Sequence, residues 1–167
     1  MLYDLTNVKE IKKNGLLSNL EKNVFGKRSF IVFVHADWCG HCVRMLPEWN
    51  KFVDKMKSNK SFDILDISNE TFDFIVSTNN HQFFSDLLEK TVSGYPTLFF
   101  VSQQKNPTGN ESIVHFFSEE RSSSNLIKFV KKLTKKEPKR ETKKQGNSSS
   151  PTTKASHKKT GKQMSKN

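Results

Sequence analysis

Phe30-Ile31-Val32-Phe33-Val34, followed by Trp38-Cys39-Gly40-His41-Cys42, is the stretch that decides how this chain reads. The first run is continuously apolar, the pattern of a buried strand. The second holds both cysteines of the protein, with two residues between them. Beyond it, Val43, Leu46, Trp49, Phe52, Val53 and Met56 recur at three- and four-residue steps, predicting an amphipathic helix over Val43 to Ser58. A Cys-x-x-Cys at such a junction sets its first thiol at a helix N-terminus. There unpaired backbone N–H groups and the helix dipole favour a thiolate. The second thiol lies one turn inward, close enough to close a disulfide. The spacing implies dithiol redox chemistry.

Working outward, Leu2 to Leu5 is expected to be a short first strand. Asn7 with Glu10 resembles a capping box, and Val8, Ile11, Leu16, Leu17 and Leu20 follow at roughly helical spacing, with Gly15 weakening that helix. Asn23 to Arg28, with Gly26, is a turn into the apolar run. Pro47 lies inside the helix after the cysteines and is expected to kink it, because its ring clashes one turn back and it lacks an N–H. Phe62 to Ile67 reads as a second core strand. Asn69 to Lys90 reads as a helical region, broken near Asn79-Asn80. Thr97 to Val101 and Ile113 to Phe117 read as two further strands, joined by a turn at Pro107-Thr108-Gly109-Asn110. A last helix is expected from Ser122 to Lys132.

Charge separates body from tail. Residues 131–167 carry 13 Lys and Arg against two acids, whereas residues 1–130 carry 15 of each sign, so the formal net charge of +11 lies in the tail. From Lys135 onward Lys, Ser, Thr and Gly dominate, and such a segment buries too little apolar surface to offset its ordering entropy. The expectation is a folded domain over 1–134 and a disordered Lys/Ser/Thr-rich tail over 135–167. Two cysteines build no disulfide framework, and one Cys-x-x-Cys lacks the second ligand pair of a structural zinc site, so no metal is expected. No stretch approaches the roughly 20 apolar residues of a membrane span, and no secretory signal is visible, which points to a reducing, cytoplasm-like compartment.

The order of elements and the motif together resemble the thioredoxin superfamily over residues 1–134. Cys39-Gly40-His41-Cys42 looks like the active site of protein disulfide isomerase domains. Pro47 sits where that family kinks its active-site helix, Gly94-Tyr95-Pro96-Thr97 looks like its cis-proline loop, and Arg121 falls where isomerase domains carry an arginine that approaches the second cysteine. The resemblance implies an α/β, thioredoxin-like fold: a central mixed β-sheet flanked by helices. It also implies a protein thiol–disulfide oxidoreductase with no cofactor beyond the Cys39–Cys42 disulfide. Its partners would be protein dithiols or disulfides and an upstream thiol reductase or oxidase.

Within that resemblance Cys39 is the nucleophile and Cys42 the resolving thiol. His41, if cationic, stabilises the Cys39 thiolate. Arg121 either approaches Cys42 or is an exposed helix-start residue. Trp38 and Gly40 border the substrate, and the backbone at Tyr95, before a cis Pro96, pairs with a substrate strand. Three features depart from the family. Where a buried acid is usual, six residues before the first cysteine, stands Phe33, and the usual lysine partner aligns with Ile64. Restoring the acid with Phe33→Glu is then expected to speed turnover. His35 reads as a packing residue ahead of a stand-in proton carrier. The region Asn69 to Lys90 is long, and the basic tail is foreign to the family. The Lys/Asn/Phe-rich divergence resembles thioredoxin-like proteins of large DNA viruses, which would place the chain in a host cytoplasm or virion. Two readings of the tail stand: sequence-blind contact with nucleic acid or another polyanion, or a solvated tail. Two readings of the whole stand as well: the oxidoreductase, and a thioredoxin-fold scaffold with low turnover recruited through its tail.

Overall fold

The computed structural model describes residues 1–78, 81–107 and 109–135. The expected break at Asn79-Asn80, Thr108 of the expected turn, and the tail from residue 136 onward lie outside the described residues. The elements run β1 (Leu2–Leu5), α1 (Val8–Asn14), α2 (Leu16–Asn23), β2 (Phe30–His35), α3 (Gly40–Met56), β3 (Asp63–Ser68), α4 (Asn69–Thr78), α5 (Gln82–Thr91), β4 (Thr97–Asn106), β5 (Gly109–Phe116) and α6 (Ser123–Thr134). The strands form one sheet in the order β1-β3-β2-β4-β5. β1, β3 and β2 are parallel, and β4 and β5 are antiparallel additions at one side.

β2 is central and fully buried along its length, as its uninterrupted apolar run requires. Alternate side chains supply two cores. Phe30, Val32 and Val34 face a cluster with Ile11, Leu17, Leu20, Ile75, Phe84 and Leu88, which covers that side with α1, α2, α4 and α5. Ile31 and Phe33 face Met45, Trp49, Phe52, Leu126 and Val130 of α3 and α6. Every strand residue is thereby assigned to a helix layer by its parity alone.

The structure corrects several expectations. Gly15 does more than weaken a helix: with φ at 56°, in the left-handed region, it ends α1 and starts α2. Asn7 caps α1 by accepting from the N–H groups of Lys9 and Glu10. α3 starts at Gly40 rather than Val43, so the motif lies inside its first turn. The β4–β5 hairpin extends to an Asn106–Gly109 pair, well past Val101. The strand register adds a neighbour to Phe33, which shares one core with Ile64. Ile64 lies beside Ile31, and the residue paired with Phe33 is Asp66.

Candidate active site

Cys39 caps the N-terminus of α3. Its backbone is extended, and its Sγ accepts the N–H of Cys42 at 3.3 Å. The Cys39 thiol also lies 3.5 Å from the Tyr95 carbonyl, toward which it donates. Both cysteines are buried free thiols, packed with Ala36 and Tyr95. Their environments push them apart. The hydrogen bond from Cys42 lowers Cys39 most, helped by the N–H groups of Cys42 and His41 and the charge of Arg121, against the opposing effect of burial. Burial drives Cys42 up to about 11, and its hydrogen bond to Cys39 adds to the rise. One thiol is thus prepared to ionise and the other to keep its proton.

The other sequence-derived candidates gather at the same end of the sheet. Trp38 is 74% exposed, its ring edge-on to Tyr95 at 5.8 Å between centroids. The Tyr95–Pro96 bond is cis, directly ahead of β4. Arg121, just before the Ser122 cap of α6, lines a shallow cavity with His41, Arg44, Met45 and Glu120. Gly40 lies under a guanidinium: a methyl added there would meet Arg44 Nη1 at 3.7 Å. His81 and His115 lie in the fold framework, bonded to Glu21 and Ser102 respectively.

Three residues escaped the sequence reading. Arg44 Nη2 lies 2.8 Å from His41 Nδ1. A guanidinium only donates, so His41 Nδ1 is the acceptor in this contact. Arg44 is thus a second guanidinium beside the motif, on the same helix face as His41. Glu48 accepts the N–H of Ser123, tying the start of α6 to α3. Asp66 accepts from Trp49 Nε1 at 2.9 Å and contacts His35 Nε2 at 2.9 Å. Nothing local in the sequence marks Asp66, whose place opposite Phe33 comes from the strand register. Among the described residues, no group of three or more His, Cys, Asp or Glu is placed to hold a metal ion. Among them, no helix is long and apolar enough to cross a membrane.

A family model described as thioredoxin matches residues 12–132. Bloodstream-specific protein 2 of Trypanosoma brucei brucei is 29% identical over 121 residues, covering 72% of this chain and 20% of that protein. The protein disulfide-isomerase of Saccharomyces cerevisiae is 26% identical over 106 residues, covering 64% of this chain and 17% of its own length. The chain spans about a fifth of the length of these curated relatives. The solved first thioredoxin domain of mouse protein disulfide-isomerase A4 is 20% identical, with a TM-score of 0.49, over 90% of this chain and 85% of that one.

Proposed function

The chain belongs to the thioredoxin family, and on that premise we propose that it exchanges disulfides with protein substrates through Cys39 and Cys42. The observation that carries the reading is the division of labour between the thiols. Cys39, lowered at the α3 N-terminus, attacks a substrate disulfide and forms a mixed disulfide. Cys42 then attacks Cys39 Sγ, leaving the Cys39–Cys42 disulfide and a reduced substrate. Run backward, the same steps oxidise a dithiol. The Tyr95 backbone, with its carbonyl beside Cys39 Sγ, offers a substrate strand its pairing edge. The exposed faces of Trp38 and Val43 border the same place. The pair itself is the only redox group the reaction needs; a thiol reductase or oxidase would reset it. The similarity to a yeast protein disulfide-isomerase agrees with this class.

The test is reduction of insulin by dithiothreitol. We expect the full chain to accelerate it, Cys39→Ser to abolish the acceleration, and Cys42→Ser to accumulate a substrate adduct. Full activity in Cys39→Ser would overturn the reading and favour the scaffold recruited through its basic tail, which the one-sided charge of residues 131–167 supports.

A further inference from the structure

β2 and α3 run along each other in opposite senses across one core, and this fixes what lies beneath the thiols. Trp49 packs on Phe33 with centroids 4.9 Å apart. From that level, two residues along β2 carry His35 about 6.6 Å toward the motif. Seven residues back along α3 carry Cys42 about 10.5 Å in the same direction. Along that common direction His35 therefore lies at a level between the Phe33–Trp49 and the Ala36–Cys42 contacts. Its neighbour Ala36 packs against Cys42 and turns a backbone group toward the thiol.

His35 is 5% exposed and stacks on Phe33. Its Nε2 is held by Asp66, while its Nδ1 is buried with no hydrogen-bond partner among the described residues. A carboxylate on Nε2 fixes that proton in place and leaves Nδ1 a free lone pair. The same carboxylate stabilises the imidazolium that would form. This is a base with its orienting acid already set, in a core where an idle, unpaired ring nitrogen is costly.

We propose that His35, oriented by Asp66, accepts the Cys42 proton when Cys42 resolves the mixed disulfide. The assignment rests on the disulfide-exchange reading above. In the step, the Cys42 S–H bond breaks and its proton passes to His35 Nδ1. The Cys42 sulfur attacks Cys39 Sγ, the bond between Cys39 and the substrate sulfur breaks, and the substrate leaves with the electron pair as a thiolate. Two protein thiols are oxidised to one disulfide as one substrate disulfide is reduced. The partly exposed carboxylate of Asp66 (18%) gives the proton a way to solvent. On the elements packed around His35, the titratable group in contact with it is Asp66 on β3, and Cys42 on α3 lies in the adjoining cluster with Ala36. The inward residues of β4 and α6 there, Leu98, Phe100, Leu126 and Val130, do not titrate.

The experiment mixes the reduced full chain with a disulfide-linked dimer of a cysteine peptide, quenches with acid, and follows the protein–peptide adduct by mass. In His35→Phe the adduct is expected to form at the wild-type rate and decay about 100-fold more slowly near pH 7, the lower end of what a positioned base contributes. The deficit should shrink as pH climbs toward about 11, where Cys42 ionises unaided. Asp66→Asn, nearly isosteric, should slow decay less, with the same pH trend, and serves alone if His35→Phe fails to fold. Wild-type decay with an unchanged pH profile in either folded variant overturns the proposal. Absence of any adduct in the wild type overturns the exchange reading and this one with it.

Discussion

Arg44 donates to His41 Nδ1, so the ring between the thiols is held by a neighbour on its own helix, and His41 reaches Cys39 through its backbone N–H. His41→Gln is accordingly expected to move the Cys39–Cys42 potential by less than about 30 mV, a tenfold change in the exchange constant, in glutathione buffers. The same substitution in an Arg44→Ala background, where the ring has lost this partner, should move it further. Phe33 has the opposite character. It is fully buried, wedged between His35 and Trp49, and paired across the sheet with Asp66. A glutamate there, which the family resemblance suggests would help, enters an apolar slot beside an existing carboxylate. Phe33→Glu should cost at least about 3 kcal/mol of stability, the loss of a core phenyl before any cost of the new charge. Urea unfolding measures it, and turnover per folded molecule should not rise.

Between elements, Glu48 does the joining. Lys51 first, and the Ser123 backbone and hydroxyl next, hold its carboxyl down at about 2. A carboxyl depressed on folding stabilises fully above its ordinary value of about 4.3 and loses that contribution as pH falls toward 2. Glu48→Gln should therefore lower Tm by a few degrees at pH 7, and the gap to wild type should close as pH falls through 4 toward 2. The motif helix was legible from the spacing of Val43, Leu46, Trp49 and Phe52, but its start at Gly40, set by the cap that Cys39 provides, lies ahead of that apolar pattern. β2 announced itself by its apolar run. Asp66 did not, because whether a strand residue meets Phe33 or Ile31 depends on register, which is set by the packing of whole elements rather than by neighbours in the chain. The Arg44–His41 contact is three residues apart on one helix face and could have been read from the sequence.

Across the whole molecule, charge and chemistry occupy different parts of the chain. The net charge lies in residues 131–167, while the thiols and the His35–Asp66 pair sit at one end of a sheet drawn from a body that is neutral overall. Deleting residues 137–167 is expected to leave insulin reduction within twofold of the full chain. Titrating duplex DNA with both forms at two salt concentrations separates the tail's two readings: weaker and less salt-dependent binding without residues 137–167 would mark a polyanion contact. Equal binding by the two forms would assign the tail to solvent. The two tryptophans divide along a similar line. Trp38 stands in water beside Cys39, whereas Trp49 is sealed in the core with its indole N–H on Asp66. The protein thus carries two optical probes in different surroundings: a red-shifted emission that a nearby disulfide quenches, and a blue-shifted one that follows the carboxylate beneath it.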